Sequence, residues 1–164
     1  MDKSGLFREL LRTDGRQVTL ITRPRRFGKT LGMSMLSEFF DIKKDNSALF
    51  DGLLIAREKE LCESWMNKYP TLFLSFKSVE GLDFEKAYSK LEAVVSDLYK
   101  EHIYLMESDK IDTFSKEMYR QVTSQKAPEE MIENSILNLT RMMRVYYGKP
   151  VILLMDEYDV PLVV

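Results

Sequence analysis

The stretch Thr19-Leu20-Ile21-Thr22-Arg23-Pro24-Arg25-Arg26-Phe27-Gly28-Lys29-Thr30 decides how this chain is read. The apolar run Val18–Thr22 predicts a strand, which passes through a short basic turn into Gly-Lys-Thr. Leu31–Phe40 then carries apolar residues at helical spacing. A strand, Gly-Lys-Thr and a helix in succession build a phosphate-binding loop. Polyphosphate needs backbone N–H groups aimed at it, a cation for its outer phosphates and a hydroxyl to hold Mg²⁺. Gly28 lets the backbone approach, Lys29 is the cation and Thr30 is the hydroxyl. The general spacing asks for a further glycine five residues before Gly28, where this chain has Arg23. Pro24 fixes φ beside it and shapes the turn without a glycine.

Working outward, the far end of the chain supplies the complement. Val151-Ile152-Leu153-Leu154-Met155 is a continuous apolar run ending in Asp156-Glu157. Such a run fits a strand buried on both faces of a parallel sheet. At the carboxyl end of that strand Asp156 can hold Mg²⁺, directly or through water, and Glu157 can orient and polarise an attacking water. Asp159 is either a partner of the metal or base, or a surface carboxylate, and Tyr158 and Pro161 shape the turn.

With these motifs in place, the chain resembles the AAA-ATPase-like family of P-loop NTPases, whose members often carry a nuclease-like domain after the ATPase domain. The resemblance covers nearly the whole chain. It rests on Asp2-Lys3-Ser4, on Leu20 through Thr30, on Tyr69-Pro70 leading into Leu72-Phe73-Leu74-Ser75-Phe76-Lys77, and on Ile152 through Asp159 followed by Pro161. It implies that arginine at position 23 is a family trait. It also implies that the loop Arg23, Pro24, Arg25, Arg26, Phe27, Gly28, Lys29 and Thr30 binds nucleotide, that Thr30 and Asp156 hold Mg²⁺, and that Glu157 is the hydrolytic base, with Lys29 assisting. The implied fold is an α/β three-layer P-loop core with a mostly parallel sheet. In ATPases of the Asp-Glu type a further strand, ending in a polar sensor residue, lies between the loop strand and the Asp-Glu strand. No sequence after Val164 is present to form it, so residues 1–164 are expected to be a partial AAA-ATPase-like domain, a fragment incomplete at its C-terminus.

Composition narrows the class. A chain of 164 residues, 45% hydrophobic and 11% aromatic, has the material for one buried core. Lys and Arg number 24 against 26 Asp and Glu, a net charge of −2, which gives no bulk attraction to nucleic acid. Cys62 is the single cysteine, so neither a disulfide framework nor a thiolate zinc site is expected. A reducing setting is the default for such a chain. No apolar run approaches the ~20 residues that cross a bilayer, and the expected location is cytoplasmic.

Between the two motifs, Leu31, Met35, Leu36, Phe39 and Phe40 form the apolar stripe of the loop helix. Residues 41–70 read as loop and short helix, with Trp65 a packing residue rather than a base-stacking platform. Thr71–Phe76 reads as a second strand. Asp83 is an N-cap for a long amphipathic helix, Thr113–Ser124 is a third helix with Phe114, Met118 and Val122 inward, and a last helix runs from Pro128 to Gly148. His102 has no second ligand at metal spacing and reads as structural or solvated.

Three functions compete on this sequence. The leading one is an ATP-binding module and ATPase, with Mg-ATP over residues 23–30. The alternative is a basic phosphate-binding module, in which Arg23, Arg25, Arg26 and Lys29 contact nucleic-acid backbone or a partner without turnover. A metal nuclease built on Asp156, Glu157 and Asp159 lacks the lysine that such sites place shortly downstream. A sheet edge left open would invite self-association.

Overall fold

The computed structural model describes residues 4–11, 18–20, 28–79 and 83–158. It is a mixed α/β chain. Two strands, β1 (Thr71–Ser75) and β2 (Ile152–Asp156), pair side by side in parallel. Ile152 N–H donates to the Pro70 carbonyl at 2.9 Å where the pairing begins, and Phe76 N–H donates to the Asp156 carbonyl at 3.0 Å where it ends. The register therefore places Asp156 at the carboxyl edge of the sheet.

The described residues divide into two compact units. One takes the residues up to Phe73 together with Ile152–Leu154, and the other takes Leu74–Val151 and Met155 onward. Both strands thus begin in the first unit and end in the second.

The first unit holds α1 (Gly5–Leu11), α2 (Lys29–Phe40) and α3 (Lys59–Trp65), with two single 3₁₀ turns, Ser47–Phe50 and Leu54–Arg57, between α2 and α3. Their apolar faces meet in a cluster of Phe7, Leu36, Phe39, Phe40, Phe50 and Ile55, closed by Leu154 of β2. The ring of Phe39 lies 5.0 Å from Phe7, 5.4 Å from Phe40 and 5.3 Å from Phe50, within the range where tilted and edge-to-face aromatic pairs attract. Trp65 packs against Phe40 and Tyr69, as its packing role predicts. The C-terminal carbonyls of α2 are satisfied from one loop. Asn67, at φ 54, donates its backbone N–H to Phe39 and its side-chain amide to Glu38 and Asp41. The stripe of α2 holds except at its first position: Leu31, in the opening turn, is exposed.

Residues 18–20 depart from the expected strand. They have no regular secondary structure, and Val18 and Leu20 are 85% and 62% exposed. A strand holds only where a neighbour takes up its N–H and C=O groups. Among the described residues β1 and β2 take up each other's and no third strand joins them. Ile21 and Thr22, the rest of that expected strand, lie outside the described residues.

The second unit is helical: α4 (Phe84–Lys100), α5 (Tyr104–Glu107), α6 (Thr113–Thr123), α7 (Glu129–Glu133) and α8 (Ser135–Tyr147). The carboxylate of Asp83 accepts from the backbone N–H of Lys86 and that of Asp112 from Ser115, so both long-helix starts are capped as N-cap chemistry requires. Buried Tyr99 and Tyr119 sit at the centre, with rings 4.8 Å apart. Tyr119 donates its hydroxyl to the Tyr99 carbonyl, and Tyr99 donates its own to the Ser135 carbonyl at 2.7 Å. These two bonds tie α4, α6 and α8 together.

Two expectations change here. The last helix is broken at Asn134, whose side-chain amide donates to the Glu130 carbonyl while the Ser135 hydroxyl donates to Ile132. Two consecutive polar side chains compete for the carbonyls that a continuous helix needs. Phe114 is 74% exposed rather than inward. The buried face of α6 runs through Tyr119 and Val122, and a residue five positions before Tyr119 is turned well round the helix from it.

Candidate functional site

Gly28 stands at φ 72, ψ 36, left-handed backbone that glycine adopts without the clash a Cβ would bring. It is the N-cap of α2, and no side chain caps that end. The first-turn N–H groups of a 12-residue helix gather at this end with the positive end of its dipole. Lys29 and Thr30 open the helix at this end, Lys29 half-buried and Thr30 exposed. Arg23, Pro24, Arg25, Arg26 and Phe27 lie outside the described residues, as do Asp159 and Pro161.

Asp156 closes β2 and is 5% exposed. Its Oδ1 accepts from the backbone N–H of Glu157 at 3.1 Å. Its Oδ2 is buried and has no hydrogen-bond partner among the described residues. A buried carboxylate oxygen without a donor is costly. A hard divalent cation, which takes carboxylate oxygen as ligand, relieves that cost, so the residue fits the Mg²⁺ role. Glu157 is half-buried at φ 55, a left-handed conformation that a side-chain-bearing residue keeps only under constraint. Nothing in the sequence signals this backbone state. Gly28, Lys29 and Thr30 belong to the first unit, and Asp156 and Glu157 to the second.

Other titratable candidates have structural work. His102 is buried and its Nδ1 lies 3.0 Å from the Leu98 carbonyl, one helical turn back, so the ring closes the end of α4. Cys62 donates its thiol to the Ile55 carbonyl at 3.3 Å, and burial, with Glu58 and Glu63 nearby, pushes its pKa up. A raised pKa keeps the thiol protonated and a poor nucleophile. Among the described residues no group of three or more His, Cys, Asp or Glu side chains converges on a metal-sized site. A Mg²⁺ ion here would depend on phosphate oxygens and water to complete its shell, the usual arrangement for this cation. Among the same residues no helix is long and apolar enough to cross a membrane.

Comparison with curated proteins and with solved structures returns no match. A family model, AAA-ATPase-like, described as predicted AAA-ATPase, matches residues 1–164. With that match running over the same glycine-capped helix and the same Asp-Glu strand end, the chain belongs to the AAA-ATPase-like family.

Proposed function

We propose that the chain is an ATP-binding module of the P-loop ATPase class, with the three-layer α/β core of that class as its fold. The triphosphate lies along Arg23–Thr30, where the uncapped N–H groups of α2 and the Lys29 ammonium meet its β- and γ-oxygens. Thr30 and Asp156 are the protein's Mg²⁺ ligands. When bound, the ion neutralises charge on the β- and γ-phosphates. The observation that carries this reading is the buried Oδ2 of Asp156, which has no hydrogen-bond partner among the described residues.

Glu157 follows directly, and its carboxylate is the base. As the water oxygen bonds to the γ-phosphorus and the β–γ bridging P–O bond breaks, Glu157 takes the water's proton and ADP departs with the bridging electron pair. Holding Oδ1 of Asp156 with its own backbone, Glu157 couples the position of the base to that of the metal ligand.

Calorimetric titration of ATP into the chain and into Lys29→Ala, with and without Mg²⁺, tests the reading. Binding that requires Mg²⁺ and vanishes with Lys29 is the expected result. A folded chain that binds no ATP would overturn it in favour of a basic phosphate-binding module, whose binding falls steeply with salt and tolerates loss of Mg²⁺.

A further inference from the structure

Away from the nucleotide-binding residues, the second unit has an open cavity of about 310 Å³ between α6, α8 and the turn at Lys110–Asp112. Buried Tyr99, Tyr119 and Met142 line it, and Phe114 and Val145 border it while standing 74% and 55% exposed. Leu137 is also exposed and lies eight residues before Val145, on the same side of α8, with Arg141 midway between them. Apolar side chains of this size gathered at one place cost solvation free energy unless something covers them. Met118 and Met142 add adaptable, polarisable lining.

The charged lining is two cations to one anion, Lys110 and Arg141 against Asp112. The Asp112 carboxylate is turned to its own helix start, where it accepts from both the backbone N–H and the hydroxyl of Ser115. Lys110 is held in place by donating to the Tyr146 carbonyl at 2.9 Å. The Arg141 side chain makes no hydrogen bond or ion pair with any described residue, and Ser135–Tyr147 contains two arginines and no acid. An exposed guanidinium between two exposed aliphatic side chains is matched by a carboxylate flanked by apolar groups.

We propose that this groove docks an acidic amphipathic segment of a partner protein, its apolar side chains covering Phe114, Val145 and Leu137 and its carboxylates pairing with Arg141 and Lys110. A small molecule would fill the cavity and leave its rim in water. Nucleic acid is the poorer occupant because, of the exposed Phe114, Leu137 and Val145, Phe114 alone offers a base a π-face. A second copy of the chain is poorer too: its own acidic helix, Glu129–Glu133, spends Ile132 in its own core.

Fluorescence anisotropy tests this with a labelled peptide carrying leucines at helical spacing between glutamates, and with a counterpart in which lysines replace the glutamates. The full chain is compared with Arg141→Glu and Phe114→Ser, two changes at exposed positions whose folding is checked by circular dichroism. The acidic peptide is expected to bind, the basic one not, and each variant to lose about tenfold or more in affinity. Equal binding of both peptides, binding of neither, or indifference to the two variants would overturn the proposal. So would a Phe114-dependent dimer in sedimentation, or Arg141-dependent binding of a duplex oligonucleotide with no peptide binding. ATP titration of the same variants, expected to match the parent, keeps this test separate from that of the nucleotide site.

Discussion

The backbone N–H of Glu157 donates to Oδ1 of Asp156 at 3.1 Å, and it does so from left-handed backbone at φ 55. One oxygen of the metal-ligand candidate is thereby held by the residue proposed as the base, and the other is buried with no hydrogen-bond partner among the described residues. The geometry is bought with backbone strain, and that strain can be measured.

Glu157→Gly is expected to raise stability by about 0.5–1 kcal/mol, because glycine adopts φ 55 without the Cβ clash and loses part of that gain to unfolded-chain entropy. Thermal melting reads this. Glu157→Gln leaves the backbone strain in place and is expected to keep ATP binding while slowing phosphate release about 10²-fold or more. A Gly variant less stable than the parent would place the constraint in the side chain instead.

Asp156→Asn removes the charge but keeps the shape. The advantage that Mg²⁺ gives to ATP binding should shrink about tenfold, read by calorimetry at fixed ionic strength. Persistence of the full Mg²⁺ effect would remove Asp156 from the metal site.

Phe39→Ala should cost about 3–5 kcal/mol, since a fully buried ring with three aromatic neighbours leaves a cavity that the first unit cannot refill. Phe114→Ala, on an exposed ring, should lie within about 0.5 kcal/mol of the parent. Denaturant melts of the two variants separate core from surface directly.

Burial pushes the Tyr99 hydroxyl well above its ordinary pKa, with Tyr119 adding to the effect, and burial alone does the same for Tyr119. The unfolded chain releases these protons near pH ~10 while the folded one retains them. Their contribution to stability is therefore complete below that pH and is lost as pH rises from there toward the folded values. Tyr99→Phe should flatten the alkaline limb of the stability curve. It should also lower stability at neutral pH by about 1 kcal/mol through the lost bond to the Ser135 carbonyl.

At the acid end, the backbone bond from Lys86 and then its side chain hold the Asp83 carboxyl below the usual range, and the hydroxyl and backbone of Ser115 do so for Asp112. Depressed values mean that both caps contribute above the ordinary aspartate pKa of about 3.9 and fade as pH falls through the lower folded values. Asp83→Asn, which keeps an N-cap acceptor but cannot titrate, should lose that acid dependence at the start of α4. Amide exchange across Phe84–Ala87 reads it residue by residue.

Local chemistry was legible in the sequence wherever it acts over a few residues. Asp83 capped its helix, Gly148 took the left-handed C-cap, Trp65 packed, and the loop helix and Asp-Glu strand formed where periodicity placed them. Failures came where a distant partner decides. Val18 and Leu20 are strand-forming side chains without a neighbouring strand among the described residues, and Phe114 lies on an apolar spacing that the Tyr99–Tyr119 pair draws away from it. Asn134 breaks a helix that the apolar pattern alone carries through. For the candidate site, residue types and spacing could be read directly, but the φ of Glu157 and the unpartnered Oδ2 of Asp156 belong to backbone geometry that no side-chain pattern encodes.

Trp65 is the single tryptophan of the chain, and it lies in the first unit against Phe40 and Tyr69. Tyrosines 88, 99, 104, 119, 146 and 147 all lie in the second. Indole emission therefore reports on the first unit, and phenol emission chiefly on the second, Tyr69 beside Trp65 being the tyrosine of the first. Coincident melting curves in the two channels would describe one cooperative transition, and separated curves would assign an order of unfolding to the units without a single substitution.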